Sequence, residues 1–370
     1  MKKASIVIGT GFGDEGKGSF TNYLCSDDPE NTLVIRFSGG QQAGHTVMVE
    51  DKKHVFSNFG AGSLLGVTTY FTEHTSIYPV TIIREYEVLQ TKGIYPKLLV
   101  HPRAAVTTPY DVAYTRAREL SKSHGSCGLG VGSTMHRQEE TGYKLFAGEL
   151  LHPKLFLAKV EQIKAYYLER AIKKNMKDEY LSSIKDEYLF QKAVENIKSY
   201  LTISVYNIFN YYDHLIFEGS QGILLDREYG IFPNVTRSKT TSEIPRKLLS
   251  QFKDFIPEIF YITRCYQTRH GNGWMNNTGS FELVNTEEET NKYNHWQGEF
   301  RTQKLDKDLL QHAIRMDVSD ISEHVTQNLV VTCLDQLPEF DINFIGIPTI
   351  QSIFACESPR FSTNQFKLIN

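Results

Sequence analysis

The residues with the clearest capacity for chemistry stand near the start of the chain, in Gly9-Thr10-Gly11-Phe12-Gly13-Asp14-Glu15-Gly16-Lys17-Gly18. Glycines at this density let backbone N–H groups approach a ligand closely. A helix starting directly after them turns its positive end toward anions. Lys17 adds a mobile cation, so the natural ligand of this loop is a phosphate group. The G-x-x-x-x-G-K-[ST] pattern of the standard phosphate loop is not met, because Gly18 follows Lys17. Asp14 and Glu15 are foreign to a plain phosphate cradle; an acid here points to a metal ligand or a proton acceptor. A second loop, Gly125-Ser126-Cys127-Gly128-Leu129-Gly130-Val131-Gly132-Ser133-Thr134, combines four glycines with three hydroxyls. It reads either as another phosphate or nucleotide loop or as a surface loop without chemistry.

The elements that must position these loops alternate along the chain. Ile6–Ile8 reads as a buried strand and Ser19–Leu24 as the start of a helix. Residues 33–37 form a second strand, 38–46 a polar glycine loop, and 47–49 resume a strand. Val80–Lys92 and Tyr110–Lys122 have helical spacing, with a strand at Lys97–Val100 between them. From Leu155 to Tyr200 the composition turns to Lys, Glu, Tyr and Leu at helical spacing, marking a helical insertion around 151–205 without chemistry of its own. Strands return at His214–Phe217, Ile259–Thr263 and Leu329–Thr332, each ending in polar residues or glycine. The pattern predicts an α/β fold: a large, mostly parallel central sheet with surrounding helices, in one elaborated domain over 1–370. Ligands of such sheets sit beyond the carboxyl ends of the strands, so these loops should converge on one large site.

Bulk properties narrow the function classes. The 370 residues carry a net charge of −3, which provides no basic field for nucleic acid or anionic membranes. No apolar run is long enough to span a bilayer. Five scattered cysteines without a C-x-x-C pattern fit free thiols in a reducing cytosol, hence a cytoplasmic protein.

In order along the chain, several motifs resemble those of the adenylosuccinate synthetase family. Gly9–Gly18 is similar to the family's G-x-x-W-G-D-E-G-K-G, and Gly39-Gly40-Gln41-Gln42-Ala43-Gly44-His45-Thr46 to G-G-x-N-A-G-H-T. Phe217-Glu218-Gly219-Ser220-Gln221-Gly222 resembles F-E-G-A-Q-G, and Phe232–Thr236 resembles Y-P-Y-V-T. Thr268-Arg269 with Gly271 and Gly273 resembles T-R-V-G-x-G, and Leu334-Asp335 stands where the family has T-K-L-D. The resemblance implies a P-loop-related fold and a two-step ligase reaction of purine nucleotide biosynthesis. A nucleoside triphosphate, GTP in the family, phosphorylates the 6-oxo group of inosine monophosphate, and the amine of aspartate then displaces phosphate. It implies Asp14 as the base for purine N1, His45 as the catalytic histidine, Lys17 at the transferring phosphoryl group and Gln221 at the inosine nucleotide. Mg²⁺ would be held by Asp14 and the Gly44 carbonyl. Gly13, Glu15, Gly16, Gly18, Gly40, Gln42, Thr46, Ser126, Cys127, Thr236, Arg269, Arg301, Asp335 and Ser358 would bind nucleotide or substrate. A homodimer is implied as well.

The chain also departs from the family pattern. Where the family has an arginine-rich G-R-x-R-R-x-G-W-L-D run, this chain has Gln297-Gly298-Glu299-Phe300-Arg301-Thr302-Gln303-Lys304-Leu305-Asp306, leaving Arg301 and Lys304 as cations. Losing bidentate guanidiniums matters for a dicarboxylate such as aspartate. Cys333 replaces the lysine of T-K-L-D, and His270 replaces a valine. Arg137 is the candidate for an arginine that the family sends across its dimer interface. Alternatives are the same chemistry on a 2-amino or deoxy purine, on which phage relatives act, or with another amino donor, and a catalytically silent nucleotide-binding paralogue.

Overall fold

The computed structural model describes residues 2–50, 52–121, 125–277, 281–284, 293, 296, 298–319, 325–342, 346–358 and 366–369. Lys122 and Gln297, which end or open stretches named above, lie outside these residues. The strands are β1 (Lys2–Gly9), β2 (Thr32–Arg36), β3 (His45–Val49), β4 (Lys52–Phe56), β5 (Thr68–Phe71), β6 (Ser76–Ile77), β7 (Leu98–Val100), β8 (Ala105–Val106), β9 (Thr202–Ile203), β10 (His214–Gly222), β11 (Phe255–Arg264), β12 (Tyr266–His270), β13 (Phe300–Lys304), β14 (Thr326–Thr332), β15 (Ser352–Ala355) and β16 (Lys367–Leu368). The α-helices are α1 (Lys17–Cys25), α2 (Pro79–Thr91), α3 (Pro109–Ser121), α4 (Val131–Glu140), α5 (Pro153–Lys173), α6 (Lys177–Ser183), α7 (Glu187–Asn196), α8 (Glu243–Leu249) and α9 (Lys307–Val318).

Among the described residues one ten-stranded sheet dominates, in the order β16-β15-β14-β11-β1-β10-β2-β5-β7-β9. Its pairs are parallel except at the β15–β16 edge. The expected large, mostly parallel sheet is therefore what the chain builds. β1 lies near the middle, and its run of buried residues reflects helices and loops covering both faces. Ile6 and Ile8 pack into one layer with Phe217, Ile259 and Leu329, while Val7 packs into the other with Phe20, Val34 and Phe260. This alternation fixes the strand register, since a one-residue slip would exchange the two layers.

Local chemistry sets the element ends. α2 opens on Pro79, whose missing N–H costs nothing in the first turn. α9 is capped by Asp306, which accepts from the Leu309 N–H at 3.0 Å. Two antiparallel ribbons go beyond the alternating pattern read from sequence: β3 with β4, and β12 with β13. The second joins residues about thirty positions apart through strands with little apolar content, so sequence periodicity carries no trace of it.

Candidate active site

The loop after β1 is held by its own acid. Glu15 Oε1 accepts from the N–H groups of Gly11 (3.0 Å) and Gly13 (2.9 Å), and Oε2 lies 2.5 Å from Lys17 Nζ. Both side chains are buried. Expected at a ligand, the Glu15 carboxylate is engaged by the loop, where it pairs with the Lys17 ammonium and sets its position. Two glycines make this geometry possible. A Cβ on Gly9 would stand 2.3 Å from Glu15 Oε2, and one on Gly222 would stand 2.2 Å from the Gly11 carbonyl oxygen. Gly16 caps α1 in the left-handed region with φ of 98°.

Asp14 sits in the same left-handed region with φ of 62°, and three contacts pin the backbone around it. Arg264 Nε donates to the Asp14 carbonyl (2.5 Å), Thr268 Oγ1 to the Gly13 carbonyl (3.1 Å) and Thr332 Oγ1 to the Glu15 carbonyl (2.8 Å). The Asp14 carboxylate lines the cavity, with His270 Nε2 at 3.2 Å from Oδ2. Burial pushes its pKa up, but the His270 hydrogen bond and the charges of His270, Arg264 and Lys17 outweigh burial and hold it below the ordinary value. Gln221 and Cys333, also on the cavity wall, have positive φ of 58° and 62°. Three of the six non-glycine residues with positive φ among the described residues thus lie on the cavity wall.

His45 opens β3 and packs over Gly18, whose Cβ would lie 2.6 Å from that of His45. Its Nδ1 is 2.8 Å from Glu218 Oε1. Glu218 Oε2 lies 3.8 Å from Arg36 Nε and accepts from the Ala61 N–H at 3.4 Å. Arg36 and Glu218 stand opposite each other in the β2–β10 register and are both fully buried. Burial lowers the His45 pKa, with Glu218 opposing. Burial also raises that of Glu218, but the His45 and Arg36 charges prevail and keep it ionised. Neither His45 ring nitrogen has a well-aligned hydrogen-bond partner among the described residues: Nδ1 has the close Glu218 contact, and Nε2 is buried on a ring that lines the cavity.

The cavity measures about 560 Å³, within the usual size of small-molecule sites. It brings together Gly13, Asp14, Glu15, Gly16, Lys17, Gly18, Gln42, Gly44, His45, Thr46, Ser126, Cys127, Gln221, Thr236 and Arg269. The 125–134 loop therefore belongs to the site and is not a detached surface turn. Four expected residues stand off its wall. Gly40 is packed against Ser76. Asp335 and Ser358 lie beyond β14 and β15, where the Asp335 N–H donates to the carbonyl of Glu357, the residue before Ser358, at 3.0 Å. Arg301 Nη2 donates to the carbonyls of Gly271 (2.7 Å) and Gly273 (2.9 Å). Arg269 lies over the Phe12 ring at 4.3 Å and donates to the carbonyls of Trp274 (2.6 Å) and Asn234 (2.9 Å). Burial and the Arg301 charge draw its pKa down to about 10.

Arg137 does not reach out of the molecule. Fully buried, it donates to both Asp111 oxygens (3.0 and 3.1 Å) and to the carbonyls of Val106 and Tyr143. A guanidinium satisfied by a core network cannot serve an interface. Glu218, Arg36 and Arg264 are the site's supporting charges that sequence reasoning passed over. Their signal is a charged residue directly after an apolar run, as in Leu215-Ile216-Phe217-Glu218 and Leu33-Val34-Ile35-Arg36.

The model of the family described as adenylosuccinate synthetase matches residues 6–345. The chain belongs to the adenylosuccinate synthetase family. The adenylosuccinate synthetase of Clostridium beijerinckii is 33% identical over 285 residues, covering 73% of this chain and 64% of the relative. That of Coxiella burnetii is 31% identical over 277 residues, covering 72% and 62%. The match thus spans less than two thirds of the length of these family members. Among solved structures, fully ligated adenylosuccinate synthetase from Plasmodium falciparum aligns with a TM-score of 0.68 at 19% identity, covering 100% of this chain and 87% of that one. Succinoaminodeoxyadenylate synthetase of cyanophage S-2L, bound to dGMP and dATP as an energy donor, aligns with a TM-score of 0.68 at 16% identity, covering 99% and 95%. Both share the fold described above. Among the described residues no helix is long and apolar enough to cross a membrane.

Proposed function

We propose that this chain is a nucleoside triphosphate-dependent C–N ligase. In this reading it phosphorylates the 6-oxo group of a purine monophosphate, inosine monophosphate first, and replaces it with the amine of L-aspartate. The observation that carries the reading is the meeting of Asp14, the Glu15–Lys17 pair and the Glu218–His45 pair on one cavity at the carboxyl end of the sheet.

The 6-oxo oxygen of a purine is a weak nucleophile until N1 loses its proton. The Asp14 carboxylate, held ionised on a pinned backbone, takes that proton. The oxygen then attacks the terminal phosphorus, the bond to the leaving diphosphate breaks, and a 6-phosphoryl purine forms. Lys17, fixed by Glu15, supplies positive charge to the phosphoryl oxygens. His45 presents Nε2 to the oxyanion side. When that imidazole becomes charged, Glu218 stabilises it and keeps the Nδ1 proton in place. In the second step the amine attacks C6 and inorganic phosphate leaves. Gln221 and Thr236 hold the purine nucleotide, and Ser126 and Cys127 its monophosphate.

Mg²⁺ fits the residues present. Asp14 Oδ1 has no partner among the described residues, and with the Gly44 carbonyl it offers two hard oxygens to an ion that takes the rest from phosphates and water. Bound there, Mg²⁺ neutralises the developing phosphate charge. GTP as donor, with Asp335 reading its base, and a cytoplasmic homodimer belong to the same proposal.

A second reading keeps the chemistry and changes the purine. It is favoured by the equal structural similarity to the cyanophage synthetase bound to dGMP and dATP, and by Cys333 and the altered 298–304 segment. Mass spectrometry over a matrix of ribo- and deoxy-monophosphates of hypoxanthine and guanine, GTP and ATP, and aspartate and other amino acids separates the two. A succino-purine product with Mg²⁺-dependent triphosphate hydrolysis is expected. No product with any combination overturns the ligase reading.

A further inference from the structure

The Asp14 carboxylate does not enter the cavity with both oxygens free. Oδ2 accepts from His270 Nε2 at 3.2 Å, while Oδ1 is left to the cavity. The carboxylate cannot easily turn away from this contact, because Asp14 is left-handed and the carbonyls of Gly13, Asp14 and Glu15 are bonded to Thr268, Arg264 and Thr332. His270 is equally fixed. It ends β12, its register partner on β13 is Phe300, and the two rings pack with centroids 5.0 Å apart. The β12–β13 ribbon thus delivers one imidazole to one oxygen of the proposed base.

A carboxylate with two free oxygens facing a 6-oxopurine is complementary to guanine, whose N1–H and N2–H donate side by side. With Oδ2 taken by His270, only Oδ1 is left, and a carboxylate oxygen has two lone pairs: one can face a metal ion while the other accepts from N1–H alone. A 2-amino group arriving beside N1 would meet an oxygen already occupied by an imidazole N–H, and its own donor would lose a partner inside a partly buried site. A polar group left unpaired in this way is a strong basis for rejection. We propose that His270 is a specificity-determining residue that directs this site toward 6-oxopurine monophosphates without a 2-amino group. The inference rests on the reading of Asp14 as the group that meets N1. Within that reading it chooses hypoxanthine over guanine.

The test compares the full-length protein with His270→Val and His270→Gln; the glutamine keeps an N–H donor and the valine removes it. Binding of inosine and guanosine monophosphates, ribo and deoxy, is measured by calorimetry, and turnover with triphosphate, Mg²⁺ and aspartate is measured alongside. The wild type is expected to favour the inosine nucleotide by at least about tenfold in both readouts. His270→Val narrows that ratio to within about threefold, chiefly by gaining guanosine monophosphate, and His270→Gln keeps the preference. If the valine variant does not fold, His270→Ala gives the same comparison. A wild type that turns over both purines equally or prefers guanine, or a ratio unchanged in the valine variant, overturns the role of His270 and leaves the ligase reading standing. Failure of the wild type to bind any of the monophosphates overturns both.

Discussion

The two walls of the cavity are built on different principles. On one, the loop after β1 and the start of β3 hold buried charges in tight pairs: Glu15 with Lys17, and Glu218 with His45 and Arg36. On the other, the β12–β13 ribbon holds the guanidinium of Arg269 on the wall and that of Arg301 off it, against backbone carbonyls of the 271–274 turn and of Asn234. The first wall has residues that resemble the family motifs; the second sets one that does, Arg269, beside departures from them at His270 and in the 298–304 segment. Paired buried charges cannot change one at a time without leaving a partner uncompensated, whereas a cation bonded to carbonyls can. In the proposed reading, this difference fits a site whose motif residues hold their family pattern while the 298–304 segment departs from it.

The comparison breaks most visibly if the first wall does not carry the chemistry. Asp14→Asn and His45→Ala are each expected to lower kcat by about 10²- to 10⁴-fold while triphosphate binding stays measurable. Wild-type rates in either would move the reacting groups elsewhere. Next in size is Glu218→Ala, which leaves Arg36 buried without its carboxylate. It should cost about 3–5 kcal/mol in denaturant unfolding. A loss below about 1 kcal/mol would show that the pair is not part of the framework.

On the β12–β13 ribbon, Arg301→Ala frees the carbonyls of Gly271 and Gly273. KM for monophosphate or amino donor is expected to rise by about tenfold, an effect of the size of one lost charge-assisted hydrogen bond, with kcat within about threefold of wild type. A fall in kcat at constant KM would put Arg301 in the chemistry and erase the contrast between the walls. The smallest effect lies away from both. His214, at the amino end of β10, contacts Ser5 Oγ at 2.9 Å, and burial, aided by Lys3, holds its pKa down at about 4. A histidine whose folded value lies below the unfolded value of about 6.5 destabilises the fold when it must take a proton. Its contribution is whole above about pH 6.5 and is lost as pH falls toward 4. In melts at pH 7 and pH 4.5, His214→Gln should show a shallower acid loss than wild type while kcat at pH 7 stays unchanged.

What could be read in the chain follows its local patterns. Ile6–Ile8, residues 33–37, Ile259–Thr263 and Leu329–Thr332 announce buried parallel strands because both faces of such strands are covered, which leaves a continuous apolar run. The glycine loop announces a phosphate site because few other uses need so many glycines next to a lysine. Asp14 and Lys17 on one glycine loop, and His45 on another, were nameable from motifs alone, since each sits inside a short run of recognisable residues. The partner of each was not. Glu15 looked like a ligand group until the fold turned it onto the N–H groups of Gly11 and Gly13. His270 looked like an isolated replacement until the ribbon set it against an aspartate more than 250 positions away. Arg137 seemed available for an interface until Asp111 enclosed it. The residue types and the strand pattern were settled locally, by periodicity and by the geometry of glycine. Which charge meets which was decided only in the tertiary structure, because ion pairing depends on distance in space and on burial, and separation along the chain records neither.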